Sequence, residues 1–203
     1  MISNDLTTRL YVSPPTVASE CEEIFEITVY DKDNNANGHQ EIITAIKPST
    51  IDLTEKSEIG SSTDSRQMPM YRLGSIHIKP DNLTAYGHFV HYVPSVLEWV
   101  TGKTQFYASA KDCHIEFYTD SNGIDPDLIK VDENILSTHN YKFNDMNYFK
   151  RQYGHFIMSV PGYGLHTFEN NGTYVLYVVC ENAQGPNTAA DYLAGFNQRK
   201  VHN

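Results

Sequence analysis

The chain has 203 residues, 40% of them apolar and 20% charged, and a formal net charge of −10. That length and composition suit a folded domain with its own core. The acidic balance excludes nucleic acid as the expected partner, because phosphate recognition needs clustered Lys and Arg. No apolar run approaches the roughly 20 residues of a spanning helix, so membrane insertion is not expected.

In chain order, Thr8 to Val12 reads as a short strand ended by Ser13-Pro14-Pro15. Glu22 to Tyr30 alternates strictly, with Phe25, Ile27 and Val29 on one side, which predicts a half-buried strand. The polar stretch Asp31 to Gly38 then joins it to a strand at Glu41 to Ile46 as a long-tipped hairpin. Residues 48–69 are rich in Ser, Thr and charge and predict a mobile loop. One domain over 1–203 is expected, with 1–47 and 70–203 as the alternative division. Strands resume at Met70 to Lys79, Tyr86 to Val93, Thr104 to Ala108 and Cys113 to Thr119.

Asp125 to Leu136 carries the one helix signal: Asp125 to cap, Pro126 at the first position, and Leu128, Val131 and Ile135 at helical spacing. A short helix near 126–136 is expected. Strands return at Tyr153 to Val160 and at Thr173 to Glu181, the longest apolar run, while Thr188 to Phe196 fits a closing strand or a short helix. Many short strands with few helices predict an all-β chain, a two-sheet antiparallel β-sandwich of immunoglobulin-like or jelly-roll-like form. The segment Glu169-Asn170-Asn171-Gly172-Thr173-Tyr174, continuing through Gly185, resembles the closing hairpin of immunoglobulin-like and PKD-type modules.

The chemistry-bearing residues are sparse. Asp33, Asn35 and Asn37 alternate, Gly38 follows, and Glu41 comes three residues later, which is the pattern of a short calcium loop. The twelfth position from Asp33 is Thr44, so it is not an EF-hand. Asp120 to Asp127 also concentrates carboxylates, but Asn122-Gly123 and Asp125 are turn and cap residues, and a structural role is expected. His88, His91 and Glu98, with the later Pro161 to His166 and Asn170, loosely resemble the two metal motifs of cupins; the resemblance implies a metal-dependent enzyme. The first histidine pair is one residue further apart than the cupin spacing. Tyr86-Gly87-His88-Phe89 is echoed by Tyr153-Gly154-His155-Phe156, which would place His88 and His155 alike if the strands were related.

Cys21, Cys113 and Cys180 are odd in number and widely spaced. They predict reduced thiols and, with no basic-apolar leader at Met1 to Asp5, a cytoplasmic location. No nucleophile elbow, phosphate loop or C-x-x-C pair is present. Of the aromatic residues, Tyr163 between Gly162 and Gly164 is expected at an exposed loop. Tyr163, Trp99, Tyr92, His88 and His155 form the candidate ligand-binding set. The expected function is a lectin-like binding module for carbohydrate or protein ligands, assisted by calcium at Asp33, Asn35, Asn37 and Glu41. Self-assembly through a strand edge such as Tyr86 to Val93 makes a homo-oligomer the expected state. A self-assembling structural protein and a cupin-like enzyme are the alternatives.

Overall fold

The computed structural model of the chain describes residues 1–3, 5–14, 24–44, 49–53, 58–63, 68–77 and 85–196. The described residues are 67% strand and 5% helical, and the paired strands are antiparallel: the fold is an all-β, sandwich-like one. The strands fall in sheets of four, eight and four. No helix among the described residues is long and apolar enough to cross a membrane. Two compact units form, one of Met1–Ser75, Val90–Val93 and Asn147–Lys150, the other of Ile76–Phe89, Pro94–Met146 and Arg151–Asn203.

The first half of the chain supplies β1 (Ile2–Ser3), β2 (Thr7–Val12), β3 (Ile24–Asp31), β4 (His39–Thr44), β5 (Ser49–Asp52), β6 (Glu58–Ser62), β7 (Met70–His77) and β8 (Ala85–Tyr92). They make two four-stranded sheets, ordered β1-β6-β3-β4 and β5-β2-β7-β8. The alternation of β3 acts as its sequence implies: Phe25, Ile27 and Val29 are buried, and β3 pairs with β4 as a hairpin in which Phe25 faces Ile43. The loop expected over 48–69 is corrected. β5 and β6 lie within it, because Leu10 of β2 pairs with Ile51 and Tyr30 of β3 pairs with Gly60. The apolar residues there are too few to signal a strand locally, and their partners come from distant sequence. Ile78, Lys79 and Cys21 lie outside the described residues.

The second half of the chain supplies β9 (Val100–Ala108), β10 (Asp112–Asp120), β11 (Lys130–Val131), β12 (Asn134–Ile135), β13 (Tyr141–Tyr148), β14 (Arg151–Pro161), β15 (Gly164–Glu181) and β16 (Ala189–Gly195), which make up most of the second unit. β15 organises it. Its first half pairs with β9, Gly164 facing Ala108, and its second half with β10, Glu181 facing Asp112. A straight strand would separate Gly164 from Glu181 by about 56 Å at about 3.3 Å per residue. Yet Ala108 and Asp112 are joined by only Ser109-Ala110-Lys111, a connection of at most about 14 Å. β15 therefore folds back on itself, and the eight-stranded sheet curls into two layers. Phe106, Ala108 and Phe168 of one layer pack with Ile115, Phe117, Phe156, Leu176 and Val178 of the other in one buried core.

The fold-back sits at Asn170-Asn171-Gly172, where the β9–β15 register shifts. Fully buried Asn170 donates through Nδ2 to Thr119 Oγ1 (3.3 Å) and to the Gly123 carbonyl (3.2 Å), and its Oδ1 accepts from the Gly172 amide (2.9 Å). A Cβ on Gly172 would lie 2.3 Å from the Gly123 nitrogen, so only glycine fits. Asp120 closes the corner, accepting from Thr173 Oγ1 at 2.8 Å and from the Asn122 amide at 3.1 Å. The Asp120 and Asp125 carboxylates act structurally, as their turn chemistry implies, Asp125 accepting from the Asp127 amide at 3.0 Å.

The helix expected near 126–136 does not form. Leu128 and Ile135 are exposed, while Ile129, Val131 and Leu136 are buried, so the residues that set the helical spacing share no buried face. Asp132 and Glu133 instead take left-handed backbone angles (φ 50° and 65°) in the two-residue turn joining β11 to β12. Such a pair of positive φ values is what a tight hairpin requires. Thr188 to Phe196 resolves as the strand β16.

Candidate functional site

The fold-back of β15 gathers one end of the second unit from pieces far apart in sequence. The β9–β10 turn, the β14–β15 turn, and the end of β15 meet there, since Asp112 faces both Pro161 and Glu181. A cleft of about 600 Å³ opens at this end, lined by Lys111, Asp112, His114, His139, Asn140, Ser159, Pro161 and Glu181 among others. The volume is that of a small-ligand site. Hydroxyl, amide, imidazole, carboxylate and ammonium groups all reach it. The His139 Nε2 is closed to solvent and has no hydrogen-bond partner.

Two residues beyond Pro161, Tyr163 stands on the β14–β15 turn, 61% exposed between Gly162 and Gly164, both at positive φ (89° and 114°). Its exposure is as its flanking glycines imply. Tyr107 and Leu165 are cross-strand partners on β9 and β15 and are 55% and 65% exposed. Tyr107 and Leu165 belong to the β9–β15 layer, whereas the cleft is lined chiefly from β10, β14 and the end of β15. Tyr192 of β16 holds β9 at Tyr107: the Tyr107 amide donates to its hydroxyl at 2.6 Å, and that hydroxyl donates to the Tyr107 carbonyl at 2.9 Å. Burial raises the pKa of Tyr192.

The other expected ligand residues have different surroundings. Trp99 is buried with its ring edge-on to Tyr153 at 5.9 Å. His155 is buried on β14; its Nε2 lies 3.1 Å from Glu116 Oε1, which also accepts from the Tyr118 hydroxyl at 2.8 Å, and the Tyr118 ring stacks on the imidazole at 4.6 Å. His88, by contrast, is exposed on β8. The two strands of the sequence echo therefore do not present their histidines alike. Tyr92 packs edge-on against Tyr71 at 5.9 Å.

Three residues of the cupin-like pattern, His91, Glu98 and His166, are engaged in contacts of their own. His91 accepts from Arg72 Nε, and the Glu98 carboxylate accepts from the Ser95 amide and hydroxyl at 2.8 and 2.9 Å. His166 places Nδ1 2.7 Å from Asp132 Oδ2, while Asp132 Oδ1 accepts from the Thr167 amide at 2.8 Å. Among the described residues no three His, Cys, Asp or Glu side chains form a group able to hold a metal. At the β3–β4 tip, Asp33, Asn35, Asn37 and Glu41 are exposed. The turn's own hydrogen bonds run through Asp31, Asn34 and Gly38: Asn34 donates from its amide to Asp31 Oδ1 and from Nδ2 to the Gly38 carbonyl, each at 2.9 Å.

The expectation of reduced thiols is corrected at two of the three cysteines. Cys113 and Cys180 face each other across β10 and β15 and are joined as a disulfide. Their separation of 67 residues hid a pairing that the sheet register creates. The same register explains why the cleft residues went unrecognised: Asp112, His114, His139 and Glu181 carry no local motif and converge only when β15 folds back. The chain matches no protein-family model, no curated protein and no solved structure.

Proposed function

We propose that this chain is a non-enzymatic carbohydrate-binding module whose ligand lies over the cleft end of the second unit. The supporting observation is a polar cleft beside the turn that exposes Tyr163, two residues beyond the cleft-lining Pro161. Aromatic faces take the apolar face of a sugar ring, and the cleft's mixed donors and acceptors take its hydroxyls. A protein ligand needs a larger apolar centre than one exposed tyrosine, with charge kept to its rim, so saccharide is the better occupant. Titration calorimetry against a panel of oligosaccharides tests the reading. Tyr163→Ala is expected to weaken binding roughly tenfold, as loss of an aromatic anchor does, with the thermal midpoint unchanged. Absence of binding to any saccharide at millimolar concentration would refute it.

The reading includes calcium at the β3–β4 tip, where Asp33, Asn35 and Asn37 present oxygens that take no part in the turn's hydrogen bonds. Calcium bound there raises the thermal midpoint by mass action, and Asp33→Ala removes the shift. A midpoint indifferent to millimolar calcium removes the ion from the proposal. Self-association is the other part of the reading, supported by the exposed Val90 of β8, the last strand of its sheet among the described residues.

A further inference from the structure

Residues 170–173 turn the corner of β15, and all but one have a structural reason to be what they are. Asn170 is fully buried with its side-chain amide hydrogen-bonded at both ends, Gly172 leaves no room for a Cβ, and Thr173 donates its hydroxyl to Asp120 Oδ2 at 2.8 Å. Asn171 is the exception. Its carbonyl accepts from Thr101 Oγ1 at 3.1 Å, which holds the backbone, yet its side chain is exposed and joins no hydrogen bond among the described residues. The corner therefore displays a free carboxamide on a fixed stem. Asn171-Gly172-Thr173 also reads Asn-x-Thr with x other than proline, the acceptor sequence for an N-linked oligosaccharide. The disulfide points independently to the compartment. Cys113 and Cys180 are joined across β10 and β15 within the core, and structural disulfides form in oxidising compartments and rarely in cytosol.

We propose that Asn171 is a glycosylation site, carrying an N-linked oligosaccharide added as the chain enters an oxidising secretory compartment. The donor is an oligosaccharide held on a lipid diphosphate. Asn171 Nδ2 attacks the anomeric carbon of the first sugar; the new C–N bond forms as the C–O bond to the diphosphate breaks. The amide gives up one proton, the lipid diphosphate departs, and nothing is oxidised or reduced. Once the corner has closed, the Thr173 hydroxyl is bound to Asp120, so transfer precedes closure and takes place on the unfolded chain. Folding then leaves the glycan in solvent, where a bulky, solubilising group belongs. It also stands clear of the cleft, because Asn171 and the cleft-lining Glu181 are separated by roughly 30 Å along β15 at about 3.3 Å per residue.

Peptide mapping by mass spectrometry of the full chain, isolated from the cells that make it, tests this. The peptide holding residue 171 is expected to carry a glycan and, after treatment with peptide N-glycosidase, to read Asp at that position. A second arm translates the full chain with secretory microsomes, where acceptance is read as a gel shift that the same enzyme reverses. This arm does not depend on folding. Asn171→Gln and Thr173→Ala should each abolish modification of that peptide, and Thr173→Ser, which keeps a hydroxyl, should retain it. The other acceptor sequence, Asn82-Leu83-Thr84, lies outside the described residues and is told apart by its own peptide. An unmodified Asn171 in the native protein would overturn the proposal even if microsomes accept it. A microsomal gel shift of the same size in Asn171→Gln as in the unaltered chain would overturn it too.

Discussion

The hydroxyl of Tyr192 satisfies both backbone groups of Tyr107, accepting from its amide at 2.6 Å and donating to its carbonyl at 2.9 Å. A side chain of β16 thereby does for this stretch of β9 what a neighbouring strand would do. Tyr192→Phe leaves an amide and a carbonyl without a protein partner and is expected to cost about 1–2 kcal/mol, read as a lower denaturant midpoint. An unaltered midpoint would show that water replaces the hydroxyl at no cost.

The corner of β15 depends on the absence of one methyl group. A Cβ on residue 172 would meet the Gly123 nitrogen at 2.3 Å and Asp120 Oδ1 at 2.5 Å. Backbone has to move to relieve the first contact, so Gly172→Ala is expected to destabilise by about 2–3 kcal/mol. Thermal unfolding followed by circular dichroism measures it. A change below about 0.5 kcal/mol, the range of an ordinary surface substitution, would mean that the corner is not closely packed.

Stability should fall at alkaline pH. Burial raises the pKa of Tyr148, Tyr153, Tyr174 and Tyr192, and nearby Glu58, which accepts from the Tyr148 hydroxyl at 3.0 Å, adds to the rise at Tyr148. A raised folded-state pKa means that the unfolded chain loses these protons first. The stability they confer is complete below the unfolded value of about 10 and is lost as pH climbs through the folded values. Unfolding midpoints measured upward from neutral pH should therefore drop above about 10, with tyrosinate absorbance lagging until the fold opens. Full ionisation of all 14 tyrosines with the native circular dichroism retained would contradict this.

The disulfide makes a countable prediction. Of the three cysteines, Cys113 and Cys180 are joined, so unfolded but unreduced protein should release a single free thiol, that of Cys21. Closing a loop of 67 residues stabilises by about 4 kcal/mol in the chain-entropy model. Reduction is expected to lower the thermal midpoint accordingly. Three thiols released without reductant would show that the bond does not form in solution.

Alternation decided much of this fold before any tertiary contact. Phe25, Ile27 and Val29 declare their buried face by period, and Thr173 to Glu181 declares a buried central strand by its unbroken apolar run between turn residues. Both signals are local, because a strand's pleat sends successive side chains to opposite faces. Exposure of Tyr163 was legible for a similar reason, since two glycines and a proline leave its side chain little to pack against.

What the tertiary structure alone decided lies at long range. Leu128, Val131 and Ile135 repeat at helical spacing, yet β15 offers a strand edge to Lys130 and Val131, and pairing with it outweighs a weak helix preference. Trp99 and His155 have residue types suited to a binding face, but only the packed fold shows them to be interior. Asp112, Glu181 and His139 meet in one cleft, and Cys113 meets Cys180, because β15 folds back at Asn170-Asn171-Gly172. Local sequence specifies a strand's faces through a two-residue period, whereas which strands become neighbours is settled by the register of pairs dozens of residues apart.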